Sequence, residues 1–289
     1  MEELRVGTIV TRHSYGNDIF FRIAEIWPGE EEPEARLLGL DMRLEADAPV
    51  SDLDTPPLLE IFRYKQRVLL QNYKRVARLV DRRQVSTLPL DDDPKRDQQR
   101  KLAYQMPGSV LHIDGNEEYL ELCLDTYKQL NIRARGFCYP EGHFPDVVSR
   151  HLERYKPDIL IITGHDSLLK EAKDSGASES YRNSHHFVEA VHAARKVVED
   201  PDELVIFAGG CQSNFEALLK AGANYASSPD RVMIHALDPV LIAEKLAYTP
   251  VHEYVELQDV LANTISGPEG IGGIRTRGCF RWGNARRIY

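Results

Sequence analysis

The strongest constraint on the fold is a set of short, unbroken apolar runs that recur along the second half of the chain. GSVLHIDG (108–115), DILIITG (158–164) and ELVIFAGG (203–210) each end in glycine. A continuous run of this kind is what a strand needs when both of its faces are buried. ARGFCYP (134–140) and RVMIHALD (231–238) read as two further strands. The intervening segments have helical spacing. Residues 117–130 place Leu120, Leu124, Tyr127 and Leu130 on one stripe, with Cys123 beside it, and 145–155 is amphipathic with Pro145 in its first turn. The segment 185–198 is helical through Phe187, Val188, Val191 and Val198; 213–222 ends at Gly222; another helix follows near 239–247. Strands and helices alternating in this way predict a mainly parallel sheet with helices on both faces, and ligands beyond the carboxyl ends of its strands.

The first 55 residues have a different texture. LRVGTIV (4–10) and IFFRIAEI (19–26) are β-branched and aromatic, separated by turn residues at Tyr15-Gly16-Asn17-Asp18, and ARLLGLDMRLEA supplies two more short strands. This predicts a small, partly open barrel of the SH3 or Tudor kind. It serves either as a stabilising appendage or as a protein-docking module. From 56 to 85 the apolar positions 58, 59, 61, 62, 69, 70, 73, 76, 79 and 80 recur helically with basic residues between them. Such a helix more often presents a solvated face than an anionic partner site. DDDPKRDQQRK (91–101) reads as an exposed linker. The expected divisions are a β domain at 1–55, a helical and charged linker at 56–105, and an α/β domain at 106–289.

Composition narrows the function classes. Among 289 residues the formal net charge is −9, from 36 basic and 45 acidic side chains, which argues against a dedicated nucleic-acid binder. No apolar run is long enough to span a membrane. The opening MEELRVGTIV lacks the basic and apolar regions of a secretory signal, so none is expected. The four cysteines, Cys123, Cys138, Cys211 and Cys279, form no Cys-x-x-Cys pair and fit a reducing compartment.

Two of the strands end in reactive side chains. DILIITGHD puts His165 just past one carboxyl end, and ELVIFAGGCQS puts Cys211 just past another. Both open onto the same side of a parallel sheet. Ser213 and Glu216 have capping-box spacing, which would set the thiol at a helix N-terminus, where the thiolate is favoured. Gly209-Gly210 permits a tight turn and close approach of a substrate. Either residue alone would be unremarkable: a buried thiol and a loop histidine. Together they predict a Cys/His dyad, with His165 as base toward Cys211 and acid toward a leaving amine. Backbone amides around Gly210 and Cys211, and at Gly164–Asp166, are candidates for holding an oxyanion.

An apolar block ending in His, then one ending in small residues and Cys, resembles the caspase-like (clan CD) cysteine peptidases. ITGHD, VIFAGGCQSNFE, AGANYASSP and IHALDPV, with the opening VGTIV…SY and the late GIGGIRTRG, are similar more closely to a family of sporulation-specific cysteine proteases of endospore-forming bacteria. The resemblance runs the full length. It implies a caspase-like α/β fold and an endopeptidase that processes spore coat and cortex proteins, cutting after basic residues, chiefly Arg. It implies His165 and Cys211 as the dyad and the mother-cell cytoplasm, with association to the forming coat, as the location. In place of the Gly that often follows the histidine in caspase-like enzymes, Asp166 stands after His165 and Gly164 before it. This leaves open which amide completes the oxyanion hole, and whether Asp166 orients His165 or is exposed.

Recognition of arginine requires a carboxylate for the guanidinium. In caspase-like folds the first strand's carboxyl end lines that pocket, which nominates Asp114, with Asp238 second; either can instead be a turn-former. Replacing Asp114 by Ala is expected to lower cleavage of arginine substrates with the fold intact. Arg96 and Arg100 in the linker are candidate self-cleavage positions. Two rivals stay open. An amidotransferase-like hydrolase would use Cys211 with His235, which follows it in the chain, and a non-catalytic coat-assembly scaffold would not need Cys211. No cofactor or metal is expected. His185, His186 and His192 do not make a metal cluster, because adjacent histidines on a helix point apart and no Cys partner is spaced for zinc, and IGGIRTRG (271–278) is not a phosphate loop. Cys123, Cys138 and Cys279 are assigned to packing.

Overall fold

A computed structural model describes residues 4–86, 103–169 and 180–284. The linker 91–101, with Arg96 and Arg100, lies outside the described residues.

The N-terminal strands are β1 (Ile9–Arg12), β2 (Phe21–Trp27), β3 (Glu34–Gly39), β4 (Glu45–Pro49) and β5 (Leu53–Asp54). They pair antiparallel in the order β4-β3-β2-β1-β5. Inward positions alternate with solvated ones, so Val10, Phe21, Ile23, Ala35, Leu37, Ala48 and Leu53 make a separate small core. The turn foreseen at Tyr15–Asp18 is there: Gly16 and Asn17 take φ of 71° and 59°, values that favour these two residue types.

Helix α1 (Leu58–Ser86) follows. Val76 and Leu79 are buried, and Arg75 donates to the carbonyls of Asn263 and Thr264 at 2.8 and 2.7 Å. Leu58, Leu59, Phe62, Leu69, Leu70 and Tyr73 remain exposed. The second half of the helix packs on the large core, and the first half is held through Tyr64, which bonds to Asp41 and stacks on Phe20.

The main sheet is built from β7 (Val110–Asp114), β8 (Ala134–Cys138), β9 (Ile159–Thr163), β10 (Val205–Ala208), β11 (Tyr225–Ser227) and β13 (Ile271–Gly273), in the order β13-β11-β10-β9-β7-β8. Four of its pairings are parallel, and β13 joins antiparallel at the edge. Two small antiparallel pairs stand outside it: β6 (Ala103–Met106) with β15 (Arg281–Asn284), and β12 (Tyr254–Val255) with β14 (Thr276–Arg277).

All residues of β7, β9 and β10 are buried, which accounts for their unbroken apolar sequence. Their side chains alternate between two cores. Val110, Ile159, Ile161, Val205 and Phe207 face α1, α2 (Glu117–Gln129) and α6 (Asp238–Tyr248). Leu111, Ile113, Leu160, Ile162, Ile206 and Ala208 face α3 (Phe144–Tyr155), α4 (Ser184–Val197) and α5 (Phe215–Ala221). Burying each of the larger of these side chains contributes roughly 1.5–3 kcal/mol. Helices thus cover both faces, as the alternation requires.

Four local expectations change. RVMIHALD is not a strand of the sheet; the fifth parallel position is taken by β11, in the AGANYASSP stretch. The backbone of 232–236 instead bonds to Gln212 and to residues 41 and 43. The helix after Cys211 is capped by Asn214, whose side chain accepts from Ala217 N at 3.1 Å, and not by Ser213. Cys138, read as a packing residue, is exposed, whereas Cys123 and Cys279 are buried. His185 and His186 do not point apart either: their ring centroids are 3.8 Å from each other.

Candidate active site

The carboxyl ends of β7, β9 and β10 lie side by side, because β9 pairs with both of the others. Each is followed at once by a polar loop: Asp114-Gly115-Asn116, Gly164-His165-Asp166, and Gly209-Gly210-Cys211. Gly209 has a φ of 118°, and a Cβ there would lie 2.2 Å from Ser227 Oγ, so this turn requires glycine. A Cβ on Gly210 would lie 2.5 Å from Gly164 O and 3.3 Å from the carbonyl carbon of His165. The two reactive loops are therefore in backbone contact, and the missing side chain is what permits it.

Asp166 locks them together. It is fully buried, and it accepts from Ser167 N, Asn183 N, Ser184 Oγ and Ser213 Oγ at 2.9, 2.8, 2.5 and 2.8 Å. Ser213 Oγ in turn accepts from Gly210 N at 2.8 Å. Burial raises the Asp166 pKa against the pull of these donors. The carboxylate of Asp166 is spent on these donors and does not reach solvent; it ties the His165 loop to the Cys211 loop. The Gly210 amide is correspondingly engaged and not free for an oxyanion.

His165 is oriented by Glu141, a residue that belongs to no motif. Glu141 Oε1 accepts from His165 N at 3.0 Å and lies 3.5 Å from the ring Nδ1. Its carboxylate is wedged between two glycines, since a Cβ on Gly115 or Gly164 would approach Oε1 to 2.1 or 2.6 Å. Burial acts to raise the Glu141 pKa, but the bonds and charge of His165 prevail and lower it. On the opposite side Asn116 Nδ2 is 3.3 Å from His165 Nε2. Asn116 Oδ1 is already used by Tyr119 N at 3.0 Å, so Nδ2 donates. This network assigns the ring proton to Nδ1, facing Glu141, and the lone pair to Nε2.

Cys211 is completely buried and His165 is 4% exposed. Ile234 N donates to Cys211 Sγ at 3.2 Å, and Sγ lies 3.7 Å from Ile234 O. The thiol is thus bonded to Ile234 and not to the imidazole. Burial pushes its pKa well up, the reverse of what a helix N-terminus alone would do. Tyr119 stands beside His165, with ring centroids 5.7 Å apart.

Asp114 is buried among donors. Arg43 Nη1 is 2.7 Å from Oδ2, Thr163 Oγ1 donates at 2.8 Å, and Asn116 N donates to Oδ1 at 2.9 Å. Burial would raise its pKa, but the guanidinium charge outweighs that and holds it far below the usual carboxylate range. His112, kept toward its neutral form by burial, lies 2.8 Å from Thr163 Oγ1. Arg43 comes from the loop between β3 and β4, so the N-terminal sheet reaches into this site. Its carbonyl accepts from Cys211 N at 3.2 Å. A cavity of about 720 Å³ opens beyond Leu44, between the small sheet and the loops carrying Ser167 and Gln212.

The other two sequence candidates serve local structure. Asp238 accepts from Ile265 N, Ser266 Oγ and His235 N at 2.6, 2.5 and 3.1 Å, so its oxygens hold a turn. His235 Nδ1 accepts from Leu237 N at 3.1 Å, and burial depresses its pKa to about 4.

Fold and site together define an α/β protein with a thiol, an imidazole and an arginine-binding carboxylate gathered at the carboxyl edge of a mostly parallel sheet. The chain belongs to the YabG peptidase U57 family, whose model matches residues 5–285. It is similar to the sporulation-specific protease YabG of Bacillus subtilis (strain 168), with 39% identity over 292 residues, covering 97% of this chain and 98% of that protein. No solved structure matches it.

Proposed function

We propose that this protein is a cysteine endopeptidase of sporulation that cuts after arginine. The observation that carries the reading is the arginine already seated at Asp114, with its carbonyl on the amide of Cys211. A guanidinium on a buried carboxylate gives the specificity. A carbonyl held by the nucleophile's own amide is where an oxyanion would be stabilised.

In this mechanism Cys211 Sγ turns from Ile234 and attacks the carbonyl carbon, while His165 Nε2 takes the thiol proton. The Cys211 amide stabilises the tetrahedral oxyanion. His165 then protonates the leaving amine, and a thioester remains. Water, deprotonated by His165, hydrolyses the thioester and restores the thiol. Glu141 holds the imidazole in the required tautomer and supports its charged form, the part an acid plays in hydrolase triads.

The order of the strand ends, histidine before cysteine, supports a caspase-like catalytic domain at about 106–289, after a linker at 56–105. The five antiparallel strands of 1–55 suit an SH3- or Tudor-like module. The relative's printed name supports a role in sporulation. We assign spore coat and cortex proteins as substrates, in the mother cell. The test is incubation with arginine- and lysine-containing peptides, with and without a thiol alkylator, followed by mass spectrometry of the cut sites. Cuts after Arg that are lost in Cys211→Ala support the reading; cuts that Cys211→Ala retains, or no cuts even where Cys211 is open to the alkylator, reject it.

A further inference from the structure

The loop between β3 and β4 lies across the candidate site as an extended peptide would. Arg43 N donates to Ile234 O at 3.1 Å, and Ala236 N donates to Asp41 O at 2.9 Å. Met42 therefore pairs antiparallel with His235. This is strand addition along 234–236, the mode by which proteins bind extended peptides through the backbone. It also explains why RVMIHALD has strand character without joining the sheet. The side chain of Arg43 drops onto Asp114, its Nη2 donates to Ala236 O at 3.2 Å, and its carbonyl rests on Cys211 N. Leu44, the next residue, pairs with Asp166 beside His165.

The loop is clamped from outside. Tyr64 of α1 bonds to Asp41, and the Tyr119 hydroxyl reaches the carbonyls of Gly39 and Met42. Arg182, beyond β9, grips Glu45 and Asp47 of β4. One feature weakens the hold: Arg43 Nε is buried without a hydrogen-bond partner among the described residues. With the loop in place Cys211 has no exposed surface.

We propose that Asp41–Leu44 is a built-in inhibitory segment that binds as a substrate does, with Arg43 occupying the position of the substrate's own arginine, so that the enzyme stays latent until this loop is displaced. The proposal rests on the peptidase reading for its kinetic consequence but not for its structural one. An incoming arginine peptide and the loop compete for the same carboxylate and the same backbone edge. Displacement uncovers Cys211, frees its amide and empties the pocket at Asp114.

The test has two arms. The first measures alkylation of Cys211 by iodoacetamide in the native full chain, followed by peptide mass spectrometry, with exposed Cys138 as internal reference. The proposal expects Cys211 to react at least tenfold more slowly than Cys138, and the gap to narrow in Arg43→Ala while Arg43→Lys stays close to wild type. Reaction of Cys211 as fast as Cys138 in the wild-type protein overturns it, whether or not any variant folds. The second arm measures hydrolysis of a short arginyl peptide. Arg43→Ala, checked for a cooperative melt, should cleave at least tenfold faster than wild type, and Cys211→Ala should abolish the gain. Equal, Cys211-dependent rates in wild type and folded Arg43→Ala overturn the inhibitory role and leave the peptidase reading standing. Protection of Cys211 without hydrolysis by any variant supports the covering loop and rejects the peptidase reading.

Discussion

Arg43 and Asp114 form an ion pair of 2.7 Å in which neither side chain has any exposed surface. The two residues lie on different strand systems, and their union joins the small sheet to the large one. Breaking a buried pair from one side leaves an uncompensated charge, at a cost of about 3–5 kcal/mol, whereas removing both charges is far milder. Asp114→Ala should therefore destabilise the protein by about that amount as well as removing selectivity for arginine. The sequence alone suggested an intact fold for this variant; the pair to Arg43 changes that. Urea unfolding checks it, and the double variant Arg43→Met, Asp114→Asn should recover most of the loss. A single variant within about 1 kcal/mol of wild type would show that the pair does not carry this load.

Glu141 is predicted to act through His165. Glu141→Gln keeps the shape but weakens the grip on the ring, so kcat should fall about 10–100-fold with KM nearly unchanged. Gly164→Ala should do the same by crowding the carboxylate, because its new Cβ would sit 2.6 Å from Glu141 Oε1. Steady-state kinetics on an arginyl peptide separates this from a folding defect, and a change confined to KM would assign Glu141 to substrate binding.

The depressed pKa of His235 sets a pH dependence of stability. The ring is near pKa 4 in the folded protein and 6.5 in the unfolded chain, so only the unfolded chain takes up a proton between those values. Stability is then complete above about pH 6.5 and declines as pH falls toward 4, by an amount on the order of 3 kcal/mol. The depressed Asp114 adds a loss of the same sign at lower pH: its contribution is present above the ordinary carboxylate range and disappears as pH falls through the folded value. Melting curves from pH 8 to 4 on wild type and His235→Gln check the first effect. The variant should show the shallower decline over this window, and parallel declines would remove His235 from the account.

Much of this architecture was legible because two-sided burial leaves a mark on sequence. Ile159–Thr163 and Val205–Ala208 could hardly be anything other than central strands, and their ends fixed where His165 and Cys211 emerge. β11 was missed because it has three residues, too few for periodicity to register. RVMIHALD was misread because an apolar run pairing with a loop has the composition of one pairing with a sheet. Ser213 has the spacing of a cap, but its hydroxyl goes to Asp166 and Asn214 takes the role. Glu141 sits in a one-turn helix after Pro140 and finds His165 only through the fold. Arg43 was invisible for the same reason: its partner is 71 positions away, and nothing local distinguishes it from other arginines of a solvated loop.

The central claim is that Cys211 and His165 carry out hydrolysis. The direct measurement compares Cys211→Ala, His165→Ala and His235→Ala with wild type on one arginine-containing peptide, product formed being read by mass spectrometry and folding by thermal melts. The account predicts that the first two lose at least about 1000-fold while remaining folded, and that His235→Ala keeps cleavage within about tenfold of wild type. Loss confined to Cys211→Ala and His235→Ala, with His165→Ala fully active, would contradict it.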